Sequence, residues 1–253
     1  AISPRVPLAG VSLRGAIRDA ARDGGAVAGV RYLGRALVVG QVAVAFVLTS
    51  IMGWTLVSLT TILSENPGFT PAGLMTVSFN VPREQYPDSG DAYDVVRRVI
   101  HAVDQRAGVE AAGVTQLLPL GGRTASWTVR RSDQAPADAT LAWNYIVSHG
   151  YFSAMQVPLL AGRYLNDGDT MGSEPVVVIA GRLAERLWPG VTPIGQQLIF
   201  PEFVTADAFT VVGVVGDVRQ SSLTEVSRAG AMYRSYLQTD ERSFTLALRA
   251  AGG

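Results

Sequence analysis

Residues 36–63 read ALVVGQVAVAFVLTSIMGWTLVSLTTIL and contain no charged side chain. About 20 apolar residues cross the hydrocarbon core of a bilayer as a helix, and this stretch would run about 42 Å as a helix. A cleaved signal peptide has a shorter apolar core at the extreme N-terminus, whereas an uncleaved signal-anchor would give the same topology. A buried helix of a soluble protein rarely runs so far without a charge. The stretch therefore predicts a transmembrane helix over 36–63.

The residues on either side of this stretch predict its orientation. None of the basic residues after it comes before Arg83. Six arginines come before it: Arg5, Arg14, Arg18, Arg22, Arg31 and Arg35. Because arginine concentrates on the cytoplasmic side of membrane helices, we expect a cytoplasmic N-terminus and an extracytoplasmic region over 64–253. The sequence Asn66-Pro67-Gly68 is expected to end the helix.

Small residues recur along one side of the predicted span, which indicates a face where another membrane helix can approach closely. The alternative is that small residues are simply common in membrane helices. The predicted helix-packing face consists of Ala36, Gly40, Ala43, Val47, Ser50, Trp54 and Val57. Its partner helices would lie outside this chain.

The transmembrane helix predicted over 36–63 divides the chain into three parts, with one segment before it and one after it. Residues 1–35 are too short for a domain and form a cytoplasmic juxtamembrane segment, read either as a short amphipathic helix over 11–22 or as a plain linker. Residues 64–253 are long enough for a substantial core. The chain starts at Ala1 without an initiator methionine, and we expect it to be a piece of a longer protein.

Alternation and helical periodicity predict an α+β, strand-rich fold for 64–253. It opens as strand, helix, strand, at 74–81, 90–106 and 110–118. Further strands are predicted at 126–131, 141–148, 175–180, 196–200, 209–215 and 244–249. A short helix is predicted over 182–188, before Pro189-Gly190.

Composition excludes several classes of chemistry. The chain has no cysteine, and all 21 of its basic residues are arginine. Thiol nucleophiles, disulfides, Schiff-base lysines and P-loop lysines are therefore absent from it. The formal net charge is zero, which gives no electrostatic footprint for nucleic acid.

No motif describes a catalytic, metal or cofactor site. His101 and His149 lack a metal-ligand spacing and read as structural or surface residues. The acidic run Asn166–Asp169 lacks the ligand spacing of an EF-hand and predicts a turn. Gly213–Asp217 lacks the third glycine of a dinucleotide fingerprint and predicts a strand that bends or bulges at its glycines. We therefore expect no enzyme, no metal and no cofactor.

An ordered series of segments covering about residues 35–250 resembles FtsX/MacB-type permeases, in their MacB-like periplasmic core region. The segments are the span, Asn66-Pro67-Gly68-Phe69, Leu74-Met75-Thr76, Tyr86-Pro87, Gly108-Val109-Glu110, Leu118-Pro119-Leu120, Tyr151-Phe152, Pro158–Arg163, Val176–Ile179, Leu187–Gly190, Pro193-Ile194-Gly195 and Val211–Arg219. Two departures, at Ala180-Gly181 and at Tyr233–Tyr236, leave the local strand and loop geometry open. The arginine-rich leader resembles the start of the second half of a duplicated, orphan-type permease.

This resemblance implies a non-catalytic permease segment of an ABC-type export or mechanotransmission system. A separate subunit would hydrolyse ATP in the cytoplasm, and the remaining transmembrane helices of the permease would pack against the span in the inner membrane. It also implies a periplasmic domain with a porter-like lobe and an inserted β-rich lobe, the second comprising much of 120–220. Further spans, about three by this resemblance, would follow Gly253. The alternatives are a single-pass anchored binding or sensing module and, less favoured, an anchored hydrolase using His101 or His149.

Overall fold

The computed structural model describes residues 24–64, 67–201, 208–219 and 230–251. The chain divides into two compact units, Ala1–Ser64 and Glu65–Gly253. The described part of the first unit is one long helix, and the second unit contains all the described strands together with shorter helices.

Helix α1 of the first unit runs from Gly24 to Ser64, a length of about 60 Å at 1.5 Å per residue. It includes the whole predicted span, but it begins at Gly24 rather than at Ala36. No proline lies between its ends, so its backbone hydrogen bonding is uninterrupted. The amphipathic helix considered over 11–22 lies outside the described residues.

The second unit confirms the predicted α+β class. Its strands, in the part of the chain that the structure describes, are β1 (Leu74–Asn80), β2 (Val109–Thr115), β3 (Ser126–Arg131), β4 (Thr140–Val147), β5 (Leu159–Gly162), β6 (Val176–Ala180), β7 (Gln197–Ile199), β8 (Phe209–Val215), β9 (Gly230–Ser235) and β10 (Ser243–Ala250). Its helices are α2 (Ser89–Asp104), α3 (Tyr151–Met155) and α4 (Gly181–Leu187), with 3-10 turns at Pro136–Asp138 and Tyr236–Gln238.

The strands β1, β10 and β2 form an antiparallel sheet in that spatial order, here called the three-stranded region. Helix α2 covers one face, where its buried Val96 and Ile100 pack in one cluster with Val114 and Leu246 of the strands. The predicted strand–helix–strand opening is confirmed. However, the last strand of the chain lies between the two opening strands, an arrangement that their own patterns do not indicate.

Six strands close into a ring, here called the barrel, in the order β3, β4, β9, β6, β8, β7 and back to β3. The pairs β4–β9 and β6–β8 are parallel and the other four pairs are antiparallel. Val129, Ile179 and Met232 belong to its interior cluster, against which α4 packs Leu183 and Leu187. Closure leaves no unpaired edge within the ring.

A third apolar cluster joins the two regions, and α3 contributes Phe152 and Met155 to it. Backbones approach closely here. A Cβ added to Gly113 of β2 would lie 2.2 Å from the Tyr151 amide nitrogen, and one added to Gly150 would lie 2.1 Å from the Ala112 carbonyl oxygen. Glycine is therefore required where α3 crosses the sheet.

The structure adds α3, β5 and β9 to the predicted elements. Strand β9 contains Tyr233 and Arg234, where the departure from the family pattern left the strand geometry open. All of its residues are buried. The barrel therefore draws its strands from Ser126 to Ser235, and the assignment of much of 120–220 to a second lobe stays a prediction. At the other departure, β6 ends at Ala180 and α4 begins directly at Gly181.

Candidate functional site

The described side chains of α1 are all exposed, although the helix is strongly apolar. Within it, Arg31–Thr60 is long and apolar enough to cross a membrane. The hydroxyls of Thr49, Ser50, Thr55 and Thr60 donate hydrogen bonds to helix carbonyls three or four residues earlier. Such internal bonds reduce the cost of placing hydroxyl groups in hydrocarbon.

The structure places the whole predicted helix-packing face on α1, and every one of its side chains is exposed. Their alternating spacing of four and three keeps them on one side of the helix. Nothing lies within 4 Å of a Cβ added to Gly40, so this side has room for an approaching backbone. The function of this face stays a prediction.

Residues 67–73 connect the end of α1 to β1 along the chain, and they are called the connecting loop below. The Arg219 amide donates to the Pro67 carbonyl at 2.8 Å. Gly68 has a φ of +84°, and a Cβ added there would lie 1.9 Å from the Asp217 carbonyl oxygen. The first part of the loop is therefore pressed against the segment that leaves β8.

Arg249 of β10 holds the second part of the connecting loop. Its guanidinium donates to the carbonyl oxygens of Thr70 at 2.6 Å, Ala72 at 2.7 Å and Ala154 at 2.8 Å. The residue is only 4% exposed. In the described residues, no carboxylate lies within ion-pair distance of Arg249, so backbone carbonyls alone compensate its burial.

Two further backbone bonds complete the attachment of the connecting loop, and a third joins the residue after β10 to the residue before β2. The Thr70 amide donates to the Met155 carbonyl at 3.2 Å, and the Ala250 amide donates to the Gly73 carbonyl at 2.9 Å. The Ala251 amide donates to the Gly108 carbonyl at 2.8 Å. The start of β1 and the end of β10 therefore lie side by side at one edge of the three-stranded region.

A small polar cavity lies beside the connecting loop. Its volume is about 190 Å³. Its lining consists of Gly68, Phe69, Thr70, Gln156, Pro158, Gly216 and Asp217. Asp217 accepts a hydrogen bond from the Arg182 amide at 3.0 Å. Burial raises the pKa of the Asp217 carboxyl, while that bond and the nearby Arg182 charge oppose the rise.

The two histidines occupy surface positions. His101 is exposed on α2, and the Nδ1 of His149 lies 3.1 Å from a carboxylate oxygen of Asp167. Both members of that pair are about half exposed. The structure gives neither histidine a third group that would orient it for acid–base work in the described residues.

The acidic run over 166–169 is a turn, as predicted. The Asn166 side-chain oxygen accepts from the Gly168 amide at 2.8 Å, and the Asn166 amide donates to the Asp169 carboxylate at 2.8 Å. Arg163 donates to both oxygens of the same carboxylate, at 2.9 and 2.8 Å. This bond raises the pKa of the Arg163 guanidinium. Among the residues that the structure describes, no group of three histidine or acidic side chains could hold a metal ion.

Strand β8 bulges next to Gly213, as predicted for this glycine, and ends at Val215 before Gly216. The register of β8 against β6 shifts between Val177 and Val178, where β8 carries one extra residue. A Cβ added to Gly213 would lie 2.0 Å from the Arg163 carbonyl oxygen, so the strand passes close to a neighbouring backbone. Residues 213–215 therefore belong to a bulged strand of the barrel.

A buried arginine inside the barrel was not predicted. Arg234 shares the inward face of β9 with Met232, and its guanidinium lies 4.3 Å from the Trp127 ring and 5.5 Å from the Phe209 ring. Its Nε donates to the Asn144 side-chain oxygen at 3.2 Å. Burial lowers the pKa of Arg234 to about 10, and the group stays charged at neutral pH.

The profile of the MacB-like periplasmic core domain matches residues 36–253, which includes most of α1 and the whole second unit. The chain belongs to this family. The resemblance of the chain to FtsX/MacB-type permeases is thereby confirmed. The second unit is a MacB-like periplasmic domain of an ABC-type transporter permease. This family supplies a component of transporters, which agrees with the membrane-crossing length of α1.

Solved structures of low sequence identity are also similar to the chain. The periplasmic region of MacB from Actinobacillus actinomycetemcomitans is 18% identical, with a TM-score of 0.48 over 76% of this chain and 80% of that chain. The extracellular domain of the noncanonic ABC-type transporter YknZ from Gram-positive bacteria is 15% identical, with a TM-score of 0.45 over 71% and 85%. A domain of a putative permease from Porphyromonas gingivalis is 19% identical, with a TM-score of 0.43 over 61% and 68%. No curated protein matches the chain.

Proposed function

We propose that this MacB-like chain is the non-catalytic permease segment of an ABC-type export or mechanotransmission system. It would couple ATP hydrolysis by a separate cytoplasmic subunit to a conformational change of the periplasmic domain. The observation that carries the proposal is the continuity of one chain. A single family match begins in a helix of membrane-crossing length and continues through the periplasmic domain.

The proposed location is the inner membrane, with residues 1–35 in the cytoplasm, the span at 36–63 and residues 64–253 in the periplasm. The six arginines before the span, and the lack of any basic residue between Arg35 and Arg83, support this orientation. The arginine-rich leader also supports the second half of a duplicated permease as the origin of this segment.

Topology can be tested directly because the chain has no cysteine. We would introduce single cysteines as Ser3→Cys and Ser153→Cys. The cells are then treated with a membrane-impermeant maleimide after their outer membrane has been permeabilised and while their inner membrane is intact. Ser153 is exposed in the second unit. We expect labelling at 153 and protection at 3 until the inner membrane is broken. The reverse pattern would reject the orientation.

The proposal gives α1 the role of a stiff element, since a continuous helix passes on tilt or rotation and a glycine-rich coil does not. We predict that a Gly/Ser linker inserted after Ser64 leaves membrane insertion intact and separates transport from ATP hydrolysis. Transport and ATPase activity would be measured together in proteoliposomes. Unchanged transport per ATP in the linker variant would reject this role.

The helix-packing face can be tested with two matched substitutions. Ala43 belongs to the proposed face, and Ala45 lies about 180° around the helix from the centre of that face at 100° per residue. Both are exposed alanines of α1. We expect Ala43→Leu to weaken assembly of the permease, measured as copurification of its other helices, and Ala45→Leu to have little effect. Equal effects of Ala43→Leu and Ala45→Leu on copurification would contradict the proposed helix-packing face.

A further inference from the structure

The connecting loop is attached to both regions of the second unit within seven residues. Pro67 and Gly68 contact the segment after β8, which belongs to the barrel. Thr70 and Ala72 are held by Arg249, and Gly73 by Ala250, both of which belong to the three-stranded region. Any displacement applied at Pro67 therefore meets two regions at once, with little free chain between the points of attachment.

Arg249 is the central attachment because it joins three segments that are far apart in sequence. Its acceptors in the connecting loop, Thr70 and Ala72, are 179 and 177 residues away along the chain, and Ala154 is 95 residues away. A guanidinium presents five donors in a rigid planar fork, whereas an ammonium group is a point charge on a flexible stem. Arginine is therefore the one side chain able to hold all three carbonyls in a fixed geometry.

We propose that Arg249 is a positioning residue for coupling: it fastens the connecting loop so that movement of the end of α1 passes into the three-stranded region and the barrel together. This inference rests on the proposed function. Only residues 65 and 66 separate α1 from the fastened loop in the sequence. Without the guanidinium, the carbonyls of Thr70 and Ala72 lose the hydrogen-bond donor that they share. The connecting loop can then change conformation without moving the two regions.

A purely structural role is the competing explanation, and the chain offers a matched control for it. Arg242 is also buried and lies just before the other end of β10. It donates to the carbonyls of Tyr86 at 2.6 Å and Pro87 at 3.3 Å and, unlike Arg249, also to the Asp240 carboxylate at 3.0 Å. It fastens the loop before α2 rather than the connecting loop. Loss of structural support should affect Arg242→Gln and Arg249→Gln alike, whereas loss of coupling should affect Arg249→Gln alone.

The test uses the complete permease with its ATPase in lipid nanodiscs. Spin labels on Asp91→Cys and Glu185→Cys report the distance between the three-stranded region and the barrel. This chain has no native cysteine, and any cysteine in the rest of the permease or in the ATPase is replaced before labelling. Both positions are exposed, on α2 and α4 respectively. We expect an ATP-dependent change of this distance in the unsubstituted protein and in Arg242→Gln. We expect its loss in Arg249→Gln at unchanged ATPase activity.

Amide hydrogen exchange of the same samples tests the fastening itself. In Arg249→Gln, the amides of Thr70 and Ala250 should exchange at least tenfold faster, whereas barrel amides such as that of Val178 should keep their protection. Should Arg249→Gln fail to fold, Arg249→Lys replaces it, and we expect a partial loss of the distance change because an ammonium group holds fewer of the carbonyls.

The outcomes separate the two proposals. An ATP-dependent distance change retained in both Arg249 variants would overturn this inference and leave the proposed function standing. Equal losses in Arg242→Gln and Arg249→Gln would also overturn it, in favour of a structural role. A complete permease that shows no ATP-dependent change would overturn the proposed function, and the inference with it.

Discussion

The three-stranded region and the barrel each bury an arginine without a carboxylate partner in the described residues, but by different means. Arg249 donates to three backbone carbonyls, two in the connecting loop and one in α3, whereas Arg234 lies near the rings of Trp127 and Phe209 and donates to the Asn144 side chain. Removing Arg249 leaves three carbonyls without their donor. Removing Arg234 leaves mainly apolar surroundings. The same residue type therefore joins segments in one region and fills the interior in the other.

The two regions are expected to respond alike to changes at their closest backbone contacts, and these changes should have the largest effects. A Cβ at Gly113 in the three-stranded region or at Gly213 in the barrel would meet backbone atoms at 2.2 and 2.0 Å. Because backbone cannot move aside as a side-chain end can, we expect Gly113→Ala and Gly213→Ala each to lower the free energy of unfolding by about 3 kcal/mol or more. Denaturant unfolding followed by circular dichroism measures this.

Gly90→Ala is the control for these two substitutions. Gly90 lies in the first turn of α2, and nothing lies within 4 Å of a Cβ added there. Alanine should stabilise the helix by up to about 1 kcal/mol. A loss of stability in Gly90→Ala, or no loss in Gly113→Ala and Gly213→Ala, would contradict the close approach of the backbones.

The contrast between the two arginines is the next largest expected effect. We expect Arg249→Met to lower the free energy of unfolding by about 3 kcal/mol, since charge-assisted hydrogen bonds are lost and carbonyls are left buried. We expect Arg234→Met to cost about 1 kcal/mol or less, since a similar apolar volume replaces the charge among aromatic rings. If Arg249→Met and Arg234→Met lower the free energy of unfolding equally in the same denaturant measurement, the two buried arginines do not differ as proposed.

Much of the secondary structure could be predicted from local patterns. Strands β3 and β8 have the predicted bounds, since each is a short run of β-branched and aromatic residues between turn residues. Helix α2 could be predicted from the apolar stripe that recurs along its sequence at helical spacing. In contrast, β9 contains Arg234 and Tyr233 in a run that begins at a glycine, which gives no alternation of polar and apolar residues.

Long-range order could not be predicted from those local patterns. The placement of β10 between β1 and β2, and the closure of the barrel through β4 and β9, depend on pairing between distant segments. Arg249 alternates with apolar residues along β10 and reads as solvent-facing, because its acceptors are main-chain atoms that every residue carries. The helix-packing face of α1 was identified from spacing alone and stays a prediction.

Two aspartates extend the comparison to pH. Burial raises the pKa of Asp217, beside the barrel, whereas bonds led by that from Arg83 lower the pKa of Asp240, beside the three-stranded region. A raised acid pKa means that the folded state binds the proton more tightly, so Asp217 weakens stability at neutral pH, and the penalty fades as the pH falls through the raised value. Asp240 acts oppositely: its contribution is present above its ordinary pKa of about 3.9 and fades below it.

We therefore expect Asp217→Asn to raise stability at pH 7 by a few tenths of a kcal/mol at most, since the carboxylate is partly solvated, and to have a smaller effect at pH 4. Asp240→Asn should lower stability at pH 7 and have a smaller effect near pH 3. The measurement is the denaturation midpoint of each variant across this pH range. Differences of the same sign for both variants at pH 7 would contradict the opposite pKa shifts.

The last expected difference between the two regions concerns two tyrosine hydroxyls. Tyr93 on α2 donates to the Thr239 carbonyl at 2.9 Å, whereas the buried Tyr145 hydroxyl on β4 has no hydrogen-bond partner in the described part of the chain. Tyr93→Phe should cost about 1 kcal/mol, because a carbonyl loses its donor. Tyr145→Phe should be neutral or stabilise by up to about 1 kcal/mol, because burial of an unsatisfied hydroxyl is relieved. If Tyr145→Phe instead destabilises the protein, as shown by a lower denaturation midpoint, its hydroxyl is satisfied in solution, and the barrel wall carries a polar contact at this position.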